Sequence, residues 1–420
     1  MRTLRALKSR NYRLFFFGQA VSLVGTWMDS VAMQWLVYSK TGSAELLGVT
    51  AFFTLVPAFI IGPFAGVMVD RFDKRKLLLF TQSVQMLQAG AIAALVFTNT
   101  IQIWMVLALS VVAGLVGAID MPTRQAFMID LVEDREDLSN AIALNSSQFN
   151  LARLIGPAVA GFVYELVGAG YCFLINALSF FAVLVALYML RTPKTSNPQL
   201  KANVFQSIRD GASYVKHFVP VRALILLLAA VSFLAGAQAV MMPVMAKQAF
   251  HGNASTLGLI QSAIGAGALA SALMLASRKS VVGLGKWIMW SVLLFGSSLI
   301  ALAFVRNLPL ALVLLTLAGA GFMTQMAATN TLVQSVVDDA MRGRVMSFYT
   351  MAFVGTMPFG SLLAGYVAGL LDRHGIFGAP VVLAAVGGLL VTSGLFFLRA
   401  MPRLREAIRP AYIEKGILTA

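Results

Sequence analysis

Two charged residues, Asp29 and Arg153, stand inside stretches otherwise apolar enough to be buried in lipid. A charge at that depth is costly and by default marks an ion or substrate pathway. Gln19, Ser22 and Thr26 share one helical stripe with Asp29, and Ser146, Asn150 and Pro157 share one with Arg153, so both stripes are expected to face a polar cavity. The plain alternative is a structural ion pair or an interfacial position for each. Gln238, Gln261, Gln325 and Tyr349 are the neutral polar candidates for the rest of the lining. At 1.5 Å per residue the depths of Asp29 and Arg153 differ by about 8 Å, near the reach of an extended arginine. Pairing is therefore possible in one conformation and strained in another. By elimination Asp29 is the coupling carboxylate, if a carboxylate couples at all. No Asp or Glu lies between Asp210 and Asp338. Asp70, Asp73, Asp120 and Asp130 are placed at span edges or in loops, and Glu165 and Asp372 near the opposite surface.

Other chemistries find little material. His217, His251 and His374 fall in or near loops, so no metal cluster is expected, and the single Cys172 excludes an intrachain disulfide. Met241, Met242 and Met245 around Pro243 could suggest copper, but apolar packing beside a proline kink is the better reading. Ser297 and Ser298 could hint at an intramembrane hydrolase, but no histidine lies deep in a span to serve as base. No nucleotide-binding loop is present, so neither enzyme activity nor a cofactor is expected.

The elements that must hold these residues are long apolar helices. The chain has 420 residues, 59% hydrophobic and only 12% charged. Runs of about 20 apolar residues recur, each able to cross a hydrocarbon core as a helix. They predict twelve transmembrane helices, at about 12–38, 46–69, 77–98, 103–119, 141–167, 171–190, 223–246, 257–276, 287–305, 308–334, 346–371 and 379–398. The apolar run after the basic N-terminus has no small-residue cleavage pattern, so it is read as an uncleaved first span. Of the 32 Lys and Arg, only Lys40, Lys247, Arg306 and Arg373 fall on the side opposite the termini, and Arg153 within a span. That asymmetry places both termini in the cytoplasm. It also explains the net charge of +15 as topology rather than nucleic-acid binding.

The chain divides into an N-terminal half at 1–190, a linker at 191–222, a C-terminal half at 223–398 and a basic tail at 399–420. In the linker Phe205, Ile208, Ala212, Val215 and Val219 recur at three- and four-residue steps, the pattern of an amphipathic helix on the membrane face. A weak repeat relates the two halves. Ala20-Val21-Ser22-Leu23 echoes Ala230-Val231-Ser232-Phe233, and Gly156 and Gly161 align with Gly360 and Gly365. Duplicated halves of this kind are typical of secondary transporters, with the site near the midplane.

The loop after the second span holds Gly66, Asp70, Arg71, Asp73, Lys74, Arg75 and Lys76. It resembles the signature of the major facilitator superfamily, with Asp73 where that family usually has Gly. The resemblance implies a cytoplasmic gate at Gly66, Asp70, Arg71 and Arg75, with Asp70 latched near Arg344. Gly156, Pro157 and Gly161, preceded by Ala143 and Ala152, are similar to the superfamily's antiporter motif, with Ala for Gly at three positions. Gly265 to Ala268 in span 8 offers a matching run of small residues. A basic residue inside span 4, found in many proton-coupled exporters, is absent from the predicted span. Stretches around Trp35 to Tyr38, Gly62 to Gly66, Asn140 to Ser146 and Asn176 to Phe180 resemble the branch of enterobactin exporters and macrolide-efflux-like proteins.

What the resemblance implies is an all-α polytopic membrane protein of two pseudo-symmetric six-helix halves. Its expected function is secondary transport by alternating access: proton-coupled export of a siderophore-like or drug-like molecule across the inner membrane, by a monomer. Uptake symport and movement of a lipid-like molecule remain as alternatives. Its partners would be the substrate, the bilayer and protons.

Overall fold

A computed structural model describes residues 2–132, 135–190, 204–278 and 280–415. Fourteen α-helices account for nearly all of them: α1 (Arg10–Thr41), α2 (Ala44–Arg71), α3 (Lys74–Phe97), α4 (Ile103–Asp130), α5 (Leu138–Val167), α6 (Ala169–Met189), α7 (Val204–His217), α8 (Val219–Val244), α9 (Ala254–Ala276), α10 (Leu284–Phe304), α11 (Leu308–Val336), α12 (Asp339–Val354), α13 (Met357–Arg373) and α14 (Gly378–Glu414). The chain forms two compact units, Met1–Leu200 with Ala246–Ser262, and Lys201–Met245 with Ala263–Ala420.

Helix starts are set by short polar side chains that satisfy orphan backbone donors. Ser43 accepts from the Leu46 amide at 3.2 Å, Asp73 from Lys76 at 3.0 Å and Asn307 from Leu310 at 3.2 Å. Asp73 therefore does a capping job, in place of the expected glycine, before the basic first turn of α3. Gly42 ends α1 in the left-handed region at φ 63° and returns its N–H to the Tyr38 carbonyl, a conformation that costs glycine least.

Among the described residues ten helices or helix pairs are long and apolar enough to cross a membrane. The protein is thus a multi-pass membrane protein. Helices α1 and α5 are long enough but fall outside those ten, and they are the two that carry the polar stripes with Asp29 and Arg153. The predicted span at 346–371 is two helices. Pro358 has no N–H to offer the turn before it, and Thr356 bonds the Ala352 carbonyl at 2.8 Å and Ala229 at 3.0 Å, so α12 stops and α13 begins. The fourth span also runs farther than predicted, to Asp130, with Pro122 inside it.

Each unit has a matching glycine contact. In the first, a Cβ on Gly156 of α5 would lie 2.5 Å from Trp27 Cβ and 3.2 Å from the Val24 carbonyl of α1. In the second, Gly360 of α13 packs directly on the Phe233 carbonyl of α8. Only the absence of a side chain lets these backbones approach so closely.

The amphipathic helix expected in the linker is α7; residues 191–203 lie outside the described residues. It docks on the start of α12. Arg344 Nη1 donates to Asp210 at 3.0 Å and the Tyr214 hydroxyl to Asp338 at 3.2 Å. The basic tail is mostly helix. Met401, Leu404, Ile408 and Tyr412 recur at three- and four-residue steps and are buried, and Lys415 donates to the Val337 carbonyl at 2.5 Å.

Candidate functional site

Asp29 is positioned by α6. Asn176 Nδ2 donates to Asp29 Oδ1 at 3.1 Å, and the Ser179 hydroxyl, bonded to the Asn176 backbone carbonyl at 2.7 Å, also lies 3.4 Å from Oδ1 of that amide. The contact needs Gly25, where a Cβ would meet Ser179 Oγ at 2.5 Å and Asn176 Oδ1 at 2.9 Å. Gly25 and Asp29, four residues apart, share the face of α1 that packs on α6. Asn176 and Ser179 are the partners that sequence reasoning left out of the site. Their signal was a pair of polar residues three apart in an otherwise apolar span.

Arg153 sits on the other side of α1. Its guanidinium carbon lies 5.9 Å from the centre of the Trp27 ring, which in turn packs edge-on against Phe149 at 6.0 Å. Trp27 and Asp29 are two residues apart, about 200° around the helix. Asp29 thus faces α6 while Trp27 faces α5, and Asp29 and Arg153 are not paired in this structure. Rotation about α1, not depth, separates them.

The rest of the predicted stripes divide. Gln19 and Ser22 are buried, and both side-chain polar atoms of Gln19 lack a hydrogen-bond partner among the described residues. Thr26 is exposed and bonds the Ser22 carbonyl at 2.9 Å, and Asn150 bonds the Ser146 carbonyl at 2.8 Å. Gln261 donates to Gln34 at 3.3 Å. In the second unit Gln238 is buried in α8, Gln325 reaches Thr329 at 3.4 Å, and the Tyr349 hydroxyl donates to the Met326 carbonyl at 3.0 Å.

The first stretch of α9, residues 254–262, packs against α5. A Cβ on Gly161 would lie 2.7 Å from Ser255 Cα, and Gly258 touches the Pro157 carbonyl. Gly258 and Ser255 meet the antiporter-like motif. Gly267 packs on Thr316 of α11. One turn beyond, Glu165 accepts from Asn253 Nδ2 at 2.6 Å and from the Ala254 backbone N–H at 3.1 Å, placing a carboxylate on the N-terminus of α9. We expect Glu165→Ala to free this helix end at a cost of about 1 kcal/mol. Faster proteolysis or hydrogen exchange at residues 250–256 would register it, and unchanged exchange there would contradict it.

In the gate-like motif, Gly66 and Asp70 fall in the last turns of α2, and their side chains lie outside the described residues. Arg71 is exposed. Arg75 caps α6, donating to the Leu187 and Tyr188 carbonyls at 2.8 Å each, and Arg10 adds a bond to Met189 at 3.2 Å. Cations suit a helix C-terminus, where carbonyls are orphaned. Lys74 pairs with Asp130 at 2.7 Å. Arg344, expected near Asp70, is held by Asp210.

The placement of Asp120 also changes. Because α4 is longer than predicted, Asp120 is buried inside it at 1% exposure. It accepts from Thr81 at 2.7 Å and Gln82 at 2.8 Å and pairs with Arg124 on its own helix. Asp29 is therefore not the sole acid buried among helices, and α4 does carry a basic residue. The two acids differ in their company, since Asp120 has a cation and Asp29 a neutral amide.

A family profile described as transmembrane secretion effector matches residues 1–412. The chain is 27% identical to the staphyloferrin A transporter of Staphylococcus aureus, over 94% of this chain and 97% of that one. It is 26% identical to the multidrug efflux pump Tap of Mycolicibacterium fortuitum, covering 94% and 96%. Macrolide efflux protein A of Streptococcus pyogenes is 22% identical, covering 88% and 92%. Among solved structures, the nucleoside transporter NupG superposes with a TM-score of 0.75 at 11% identity, covering 93% of this chain and 99% of that one. The POT family transporter PepTSo gives 0.71 at 13% identity, covering 95% and 99%. At these identities the structures speak for the fold alone.

Proposed function

Because this chain belongs to the transmembrane secretion effector family of the major facilitator superfamily, we propose that it is a proton-coupled exporter of a siderophore-like or drug-like molecule. It is a transporter and not an enzyme. The observation that carries the coupling reading is Asp29 held by Asn176, with no cation bonded to it among the described residues. Such a carboxylate can take up a proton without breaking an ion pair, which Asp120, paired with Arg124, cannot. The substrate class follows the printed names of the relatives. Gradient-driven flux of siderophore-like and drug-like compounds in liposomes, under an imposed proton gradient, is the direct test. Flux indifferent to the gradient would remove the coupling.

In this reading twelve spans form two six-helix halves in the inner membrane, both termini cytoplasmic, and a monomer alternates access by rocking. The matched contacts at Gly156 and Gly360 support the duplication. Single cysteines at residues 281 and 410, in a Cys172→Ser background, should react with an impermeant reagent only from the cytoplasmic side, and those at 42, 252 and 375 only from outside. Labelling of both groups from one side would end the topology.

Two closures follow from this topology. The grip of Glu165 on the start of α9 belongs to the outer end, and Asp70 to a cytoplasmic latch. Asp70→Asn is expected to lower transport severalfold at normal membrane level; an unchanged rate would remove the latch.

A further inference from the structure

We propose that Arg153 is the anion-binding residue of the transport site, and that the substrate presents a carboxylate on a hydrophobic frame. The inference rests on the transporter reading above and deepens it.

Arg153 lies about 22 Å from the Leu138 end of α5, near the helix midpoint. Its guanidinium makes no hydrogen bond or ion pair with any described residue and lies 5.9 Å from the centre of the Trp27 ring. Other arginines of the same unit are spent on protein groups. Arg10 and Arg75 cap α6, and Arg124 holds Asp120. The acids that could have served Arg153 are committed as well. Asp29 is turned to Asn176, Asp120 is enclosed by Thr81, Gln82 and Arg124, and Glu165 holds the start of α9.

A cation kept at mid-span without a resident counter-ion is an expense that function must explain. With the Trp27 ring 5.9 Å away and no hydrogen bond to a described residue, the N–H edge of the guanidinium has no protein partner among the described residues. That edge matches the two oxygens of a carboxylate. Trp27 and Phe149, packed edge to face beside it, supply the apolar wall for the rest of such a molecule. Gly156 fixes Trp27 in place, since α1 and α5 touch there. A neutral or cationic solute would leave the guanidinium unanswered.

The test uses the purified full chain in nanodiscs of zwitterionic lipid, with 4-tert-butylbenzoate and 4-tert-butylbenzamide as matched probes, read by calorimetry and thermal shift. The carboxylate should bind and raise Tm, the amide at least tenfold more weakly. Arg153→Gln should remove the preference, and Arg153→Lys, which keeps the charge but not the fork, should retain part of it. Gly117→Ala, where a Cβ meets nothing within 4 Å, should keep the preference intact. Equal binding of acid and amide, or unchanged carboxylate affinity in a folded Arg153→Gln, overturns the proposal. So does loss of carboxylate binding when phosphatidylglycerol is added, which would assign Arg153 to lipid. Carboxylate binding through Arg153 with no gradient-driven flux in liposomes would leave this inference standing and remove the coupling reading. Gradient-driven flux with no acid preference would do the reverse.

Discussion

Asp29→Asn is expected to abolish accumulation of substrate against its gradient while leaving exchange of substrate across the membrane at its original rate. The substituted amide cannot take or release a proton, yet its carbonyl oxygen can still accept from Asn176, now at 3.1 Å from the carboxylate. Folding should therefore persist, and the variant should reach the membrane in normal amount. An exporter that loses coupling but keeps its binding site becomes a facilitator, so the loss concerns the driving force rather than the pathway. Proteoliposomes loaded with substrate separate the two readouts directly. Continued uphill movement in Asp29→Asn would pass the role to another acid. Asp120→Asn would then be the next variant to measure, although its pairing with Arg124 makes it the poorer carrier.

Gly258→Val is expected to reduce transport at least tenfold. Gly258 meets the Pro157 carbonyl and lies with its would-be Cβ 3.2 Å from Gly161 Cα, so backbone rather than a movable side chain opposes any added atom. Overpacking at such a site costs about 1–3 kcal/mol in general. Here the strain falls on the contact between α5 and the start of α9, one turn from the Glu165 grip. Gly117→Ala serves as the control, because a Cβ there meets nothing within 4 Å. Initial transport rates normalised to membrane level, with Tm measured in parallel, test the pair. Equal rates for both variants would mean that the α5–α9 contact has no part in the cycle.

Much of this protein was legible in one dimension because lipid imposes a simple rule. A segment in hydrocarbon must satisfy its own backbone, so long apolar runs become helices and charges inside them stand out. Asp29 and Arg153 were conspicuous for that reason, as were the proline and glycines of α5 and the amphipathic spacing within α7. The basic cluster after α2 identified the superfamily, which the family match over residues 1–412 bears out. Tertiary structure alone decided who faces whom. Depth along a helix can be counted from sequence, but rotation about it depends on the neighbours. Asp29 and Arg153 are close enough in depth to pair, yet Gly25 turns one toward α6 and Gly156 seats Trp27 beneath the other. For the same reason Asn176 could not be chosen in advance as the partner of Asp29, nor Asp210 as that of Arg344. The end of α4 escaped notice because Asp120 and Arg124 look like a loop until Thr81 and Gln82 of α3 enclose the Asp120 carboxylate. A charged pair reads as surface in sequence, and only the packing of a second helix reveals that its acid lies inside.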